Sequence, residues 1–334
     1  MVDAGSTAER PPVLAVEGLT VSFRAVAGVV PAVRGVDLTV GAGETVALVG
    51  ESGSGKSASV LGMLGLFHPD SAAVEADRFE FEAMALSAGR REDLQDLLGT
   101  RIGIIFQDPQ SSLDPTMKVG RQIAEVPRLR QRLDRDTVRR KVLDSLAEVG
   151  IRDPEWCASA YPHELSGGMR QRAMIATVMI AGPSLLIADE PTTALDVTLQ
   201  AQVIDLLATL QDERGTGILF ITHDLSLVSE FADRVMVMYA GAVVESGDTE
   251  AVVKQPSHPY TKALLESVPR LDGGRVTPIR GRPPDPRDLP SGCPFRTRCD
   301  HAHDRCEQVE PPVFRLPSGQ TIRCWLGEQE GEPC

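Results

Sequence analysis

The run Gly50-Glu51-Ser52-Gly53-Ser54-Gly55-Lys56-Ser57 has the residue types and the spacing of a phosphate-binding loop, G-x-x-x-x-G-K-[ST]. Gly50, Gly53 and Gly55 let the backbone bend so that successive N–H groups, those of Ser52 and Ser54 among them, turn inward onto phosphate oxygens. Lys56 adds a point charge for the β- and γ-phosphates, and Ser57 offers a hydroxyl to Mg²⁺. Downstream, Asp189-Glu190 ends an apolar run. A carboxylate there is suited to hold Mg²⁺, and its neighbour to polarise an attacking water as a general base. Gln107 and His223 each follow an apolar run, where one could ligate Mg²⁺ and the other reach a γ-phosphate. Ser166-Gly167-Gly168, opening a helix, makes a second anion site from free N–H groups, a hydroxyl and a positive dipole end. One nucleotide does not need two such sites in one domain, so this loop is expected to cap a nucleotide held by another subunit.

These residues need elements to hold them. Val13–Phe23 and Ala32–Val40 alternate apolar and polar residues like strands. Thr45–Val49 reads as a buried strand feeding the glycine loop, and Ser57–Leu66 as a helix whose N-terminus faces the anion. Ile102–Phe106, Leu185–Ala188 and Ile218–Thr222 are further short strands, and Arg234–Val244 gives two joined near Gly241. Residues 117–160 have helical periodicity, with Pro127 and Pro154 expected to break the run. Ser166–Ala181 and Val197–Gln211 read as helices. Pro69–Arg101 gives no clear pattern. The alternation predicts a layered α/β domain with a largely parallel sheet. Residues 1–12 read as a disordered tail, 13–254 as the nucleotide-binding domain with a helical part near 110–181, 255–291 as a proline-rich C-terminal region and linker, and 292–334 as a cysteine-rich extension.

The 334 residues carry a net charge of -13, which argues against broad binding to nucleic acid. The basic stretch Arg128–Lys141 is interleaved with apolar residues and reads as the solvated face of a helix. No apolar run approaches the roughly 20 residues that span a bilayer. The polar start lacks a signal-peptide core, so the chain is expected on the cytoplasmic side.

In this order the motifs resemble those of the ATP-binding-cassette (ABC) ATPases over about residues 13–268. The resemblance implies an ABC-type P-loop NTPase: a RecA-like core, an antiparallel β subdomain and an α-helical signature subdomain, followed here by the cysteine-rich extension. It implies Gly50–Ser57 as Walker A, Gln107 as the Q-loop, and Leu165–Arg172, with Ser166, Gly167 and Gly168, as the signature motif. Asp189 ends Walker B, Glu190 is the catalytic glutamate, Thr193–Asp196 is the D-loop, and His223 is the switch histidine. Phe23 is the adenine-stacking aromatic, with a strand aromatic of the core as the alternative. Cofactors are then ATP and Mg²⁺, and two cassettes close head to tail over ATP.

The tail narrows the resemblance. His258–Leu265, Ser267-Val268-Pro269, Gly281–Asp285 and Gly292–Phe295 are similar to the C-terminal signature of oligopeptide/dipeptide-permease ATPases. Asp114 and Trp325 depart from that pattern, where asparagine and histidine are common. The implied system is an importer on the cytoplasmic side of the cell membrane, with a second, non-identical ATPase, two membrane-spanning permease subunits and an extracytoplasmic peptide-binding protein. The peptide would not touch this chain. Alternatives are an importer for nickel or an oligosaccharide, or an ABC ATPase acting on nucleic acid or ribosomes.

Five of the six cysteines lie in 292–334, and Cys293, Cys299, Cys306 and Cys324 have the spacing C-x5-C-x6-C-x17-C. Four thiolates could bind Zn²⁺ or an iron–sulfur cluster, and the spacing leaves the metal open. Within the subfamily such a tail resembles a [4Fe-4S]-binding segment, with Zn²⁺ as the alternative. Cys157 reads as structural, Cys334 as incidental, and His301 and His303 as solvent-facing.

Overall fold

The computed structural model describes residues 12–25, 28–106, 113–192, 196–267 and 277–334. The tail expected at 1–12 thus lies almost wholly outside the described residues, as do Gln107, Thr193–Leu195 and Val268-Pro269.

Two sheets organise the chain. In the first, the alternating strands β1 (Pro12–Ala25) and β2 (Gly28–Gly41) pair antiparallel, with Val21 opposite Val33. After β3 (Thr45–Val49), the acidic region 69–101 supplies three short strands: β4 (Ala72–Glu75), β5 (Arg78–Phe81) and β6 (Met84–Ala85). β4 and β5 pair with β1, and β6 with β5. No clear pattern marked them because each runs only two to four residues, too short to display a period.

Among the described residues the second sheet has nine strands. From one edge inward, β7 (Ile102–Ile105), β8 (Leu185–Asp189), β9 (Gly217–Thr222), β3 and β10 (Arg234–Tyr239) lie side by side and parallel. β3, β8 and β9 are buried along their whole length. That is why they read as continuous apolar runs rather than alternating ones. Alternate residues still face opposite layers. Leu185, Ile187, Leu219 and Ile221 join the core beneath the antiparallel sheet, whereas Leu186, Ala188, Ile218 and Phe220 join the core of the helices between 119 and 180.

β10 turns back into β11 (Ala242–Asp248), and the sheet is then extended by β12 (Phe314–Arg315), β13 (Thr321–Ile322) and β14 (Glu332–Pro333). The cysteine-bearing tail therefore continues the sheet that carries the glycine loop. A third core joins Ala47 and Val49 of β3 to Tyr239, Tyr260, Cys293, Phe295, Cys306, Phe314 and Trp325. Residues 255–291 read as a loose, proline-rich connection, but part of that stretch is packed. Helix Pro259–Glu266 buries Tyr260 completely, and Thr261 and Leu264 with it.

Short polar residues start the helices. Asp134 caps Arg135–Glu148, Asp153 with Pro154 opens Pro154–Ser159, and Asp196 caps Val197–Arg214, which Gly215 ends in a left-handed conformation. The helical run is divided as expected: Val119–Ile123 ends at Ala124 and Glu125–Leu129 follows, with Pro127 in the first turn of the new helix, where a missing N–H costs no hydrogen bond. The basic stretch behaves as a solvated face: Val138, Val142 and Leu146 are buried while Arg139, Arg140 and Lys141 are exposed. Among the described residues no helix is long and apolar enough to cross a membrane.

Candidate nucleotide-binding site

Strand register assembles the site. Val49 pairs with Thr222, Ile221 with Asp189, and Ala188 with Ile105. Four parallel strands thus end together, and the residues that follow them, Gly50, His223, Glu190 and Phe106, emerge along one carboxyl edge. Ligands of open α/β sheets bind at that edge. Gln107, next after Phe106, lies outside the described residues.

The glycine loop is enforced by crowding. A Cβ on Gly50 would stand 2.2 Å from the Met238 carbonyl oxygen. Gly55 has φ +108° and packs so closely that a Cβ would come within 2.5 Å of the Ala32 carbonyl oxygen. Gly55 also precedes helix Lys56–Met63 without any side-chain cap, so the first N–H groups of the helix stay available to an anion. Lys56 is buried and donates to the carbonyl oxygens of Gly50 at 2.7 Å and Glu51 at 3.1 Å. Burial holds its ammonium below the usual lysine range, while Glu190, Asp189 and Glu51 pull the other way.

Ser57 Oγ donates to Asp189 Oδ1 at 3.0 Å. Burial pushes the Asp189 carboxyl up, the Ser57 hydrogen bond opposes that, and the Glu190 charge adds to it. A hydroxyl and a carboxylate meeting in a buried wall form a hard-oxygen pair that suits Mg²⁺. Glu190, the next residue, has a left-handed backbone, φ 46°, and its N–H donates to the Ile221 carbonyl at 2.9 Å. Its carboxylate oxygen Oε1 lies 3.5 Å from Nδ1 of the half-exposed His223. Two neighbouring strand tips, those of β8 and β9, therefore present a buried carboxylate, a second carboxylate and an imidazole together. Phe23, near the end of β1, is partly buried and packs edge-on against Phe67 at 4.9 Å.

The Ser166-Gly167-Gly168 loop stands apart. Ser166 and Gly167 are exposed, and Ser166 Oγ caps helix Gly167–Met179 by accepting from the Met169 N–H at 3.3 Å. Ser166 and Gly168 line a surface pocket with Met169, Arg172, Leu199 and Gln202, without a residue of the glycine loop. Asp196 accepts from Leu199 N–H at 3.0 Å.

The ABC transporter family matches residues 33–193, and the C-terminal region of oligopeptide/dipeptide transporters matches residues 244–306. The chain is 45% identical over 322 residues to the dipeptide transport ATP-binding protein DppD of Bacillus subtilis, covering 96% of each. The chain belongs to the ATP-binding proteins of ABC transporters. DppD of Escherichia coli is 44% identical over 93% of this chain and 95% of its own length. The oligopeptide transport ATP-binding protein OppD of B. subtilis is 43% identical over 94% and 88%. Among solved structures, cbiO1 from Clostridium perfringens, part of the ABC transporter complex cbiONQ, aligns with TM-score 0.61 at 30% identity, over 73% of this chain and 91% of its own. The dimeric ATP-binding cassette MJ0796 bound to ADP and Pi aligns with TM-score 0.61 at 24% identity, over 71% and 98%, and shares the fold. ABC ATP-binding proteins are ATPases.

Two contacts of this ABC protein's loop could not be read from spacing. Glu51 N–H donates to the Tyr260 hydroxyl at 2.8 Å, and the Glu51 carboxylate accepts from both Arg298 nitrogens at 2.6 and 3.0 Å. The partners lie 209 and 247 residues away in sequence.

The tail brings Cys293, Cys299, Cys306 and Cys324 to one cavity, with His301 and His303 at its exposed side. Burial, with the charge of neighbouring thiols, pushes Cys293 and Cys324 up to about 11, and Cys299 is raised for the same reasons. Among the described residues no group of three or more His, Cys, Asp or Glu side chains is arranged to hold a metal ion. Cys157 is buried and Cys334 exposed. Trp325, a departure from the family pattern, packs in the tail's core, donates to the Val309 carbonyl at 3.2 Å and carries the Arg305 guanidinium over its ring.

Proposed function

We propose that this chain is the ATP-hydrolysing subunit that energises import of oligopeptides or dipeptides across the cytoplasmic membrane, seated peripherally on its cytoplasmic side. The observation that carries this reading is the union, in one chain, of a cassette with the oligopeptide/dipeptide transporter C-terminal region at 244–306. Relatives named for dipeptide and oligopeptide transport, similar over nearly the whole length, support it. A nickel or oligosaccharide importer, or an ATPase of nucleic acid or ribosomes, has no comparable support.

Lys56 and the loop N–H groups grip the β- and γ-phosphates. Ser57, Asp189 and Gln107 would hold Mg²⁺, which would supply positive charge against the phosphates. Glu190 accepts the proton of the attacking water, and His223, 3.5 Å from it, hydrogen-bonds the γ-phosphate as charge develops there. Phe23 stacks on adenine. Ser166, Gly167 and Gly168 complete the site of a second, non-identical ATPase subunit, which explains the exposure of Ser166 and Gly167, and Asp196 stands at the seam. A groove of about 800 Å³ lined by Lys118, Arg121, Arg128, Leu133, Arg139 and Val142 suits a helix from one of two permease subunits. An extracytoplasmic binding protein delivers the peptide.

The four tail thiols are proposed as ligands of a [4Fe-4S] cluster, with Zn²⁺ as the alternative occupant. Four sulfur donors on one cavity support this, and the lack of a convergent metal-binding trio stands against it. Iron, sulfide and zinc assays on anaerobically purified protein separate the outcomes: about four irons per chain for the cluster, one zinc for the alternative, and neither metal if the thiols are structural only.

The function is tested by restoring growth on a peptide nitrogen source to a strain lacking this gene, and by affinity purification from solubilised membranes. Recovery of two permease subunits is expected. Recovery with ribosomal RNA and no permease would overturn the reading.

A further inference from the structure

Glu51 is the first variable residue of the glycine loop, and a carboxylate there faces a polyanion with the wrong sign. The fold answers with Arg298. The guanidinium makes a two-pronged salt bridge to Glu51 at 2.6 and 3.0 Å with a side chain only 2% exposed. Its Nε donates to the Arg280 carbonyl at 2.7 Å, and Nη1 reaches the Tyr239 hydroxyl at 3.4 Å. The rings of Tyr239 and Phe295 lie 5.8 and 5.9 Å from it, near cation–π distance. Arg298 is therefore held in place, with all three guanidinium nitrogens donating to fixed targets.

The other end is equally constrained. The Glu51 N–H is held by the Tyr260 hydroxyl, and the Glu51 carbonyl accepts from Lys56 and from the Ser54 N–H at 3.2 Å. Tyr239, Tyr260 and Phe295 pack on one another with centroids 4.6 to 5.3 Å apart. The turn Arg296–Arg298, which delivers the guanidinium, directly precedes Cys299. The C-terminal segment thus touches the phosphate loop through one buried ion pair.

We propose that Arg298 is a positioning residue for ATP binding: it fixes and neutralises Glu51, so that the loop presents its N–H groups to the triphosphate without an opposing carboxylate. The inference rests on ATP binding at Gly50–Ser57. Replacing Arg298 strands a half-buried carboxylate beside the phosphates, and an unpaired charge there costs more than the pair contributes.

The test measures equilibrium binding of a fluorescent N-methylanthraniloyl ATP to the full chain with Mg²⁺. Arg298→Ala is expected to weaken binding about 5- to 10-fold, a coupling typical of contacting charges. Arg298→Ala with Glu51→Ala is expected to return within about twofold of the parent, because the stranded carboxylate is gone. A purely structural Arg298 would leave the double variant at least as weak as the single one, and that result overturns the assignment, as does parental affinity in Arg298→Ala. Should Arg298→Ala not fold, Arg298→Gln and Arg298→Lys decide: the lysine keeps the charge and the affinity, the glutamine loses it, and equal affinities overturn the assignment. Failure of the parent itself to bind would instead refute the nucleotide site.

Discussion

Gln171 Nε2 donates to the Pro191 carbonyl oxygen at 2.6 Å from a side chain wholly shielded from solvent. Gln171 lies on the helix that Ser166 caps, and Pro191 directly follows Glu190. The helix that Ser166 opens and the loop leaving the acidic pair are therefore tied within one chain. The same loop is also held from helix Val197–Arg214, where Gln200 donates to the Thr192 carbonyl at 3.1 Å. Replacing Gln171 with leucine removes the donor but keeps the bulk, leaving a buried carbonyl unpaired. The expected loss is about 1–3 kcal/mol in urea unfolding, with a lower kcat. An unchanged midpoint would show that the carbonyl finds another donor.

Glu190→Gln keeps shape and removes the base. ATP binding is expected to persist while turnover falls about 10²- to 10⁴-fold. Steady-state phosphate release with bound-nucleotide analysis checks it. Near-parental turnover would take the base role from Glu190.

Ser166→Asp preserves the helix cap, since aspartate caps as well as serine, but sets a negative charge where a partner's phosphate would lie. The isolated variant is expected to bind ATP like the parent and to be deficient in hydrolysis when paired with its partner subunit. If hydrolysis in the assembled transporter is undiminished, Ser166 lies outside the shared pocket.

Glu245 is fully buried, and burial raises its carboxyl despite hydrogen bonds from the N–H groups of Ser257 and His258. With the folded-state pKa above the unfolded one, the native chain binds more protons in the window above about pH 4.3. Glu245 thus lowers stability as pH rises through that window toward its raised value. Glu245→Gln cannot titrate. Its stability relative to the parent is expected to improve as pH goes from about 4 to 7, whatever the pH-independent cost of placing an amide against two N–H groups. Parallel pH profiles for the two proteins would remove Glu245 as the source.

Local pattern made much of this protein legible. Gly50–Ser57 needs consecutive residues to form a loop, and the buried strands around it announce themselves as unbroken apolar runs because both faces are covered. Asp189-Glu190 and His223 were visible as polar residues ending such runs, and Ser166 as a short polar residue opening a helix. The strands of residues 72–85 were not visible, because segments so short show no period. Pro127 and Pro154 marked divisions of the helical run because proline is tolerated in the first turn of a helix and not in its interior. The stretch around Tyr260 misled because proline content suggested a loose connection, while burial of an aromatic ring decided otherwise.

What the chain alone determined is the chemistry within each motif and the order of the motifs. Whether they share a site was decided by parallel register, which ends β3, β7, β8 and β9 on one edge. Only the tertiary structure joined Arg298 to Glu51 across 247 residues. Such a contact depends on where two segments pack, and neither an arginine nor a glutamate carries in its own neighbourhood any mark of a partner so far along the chain.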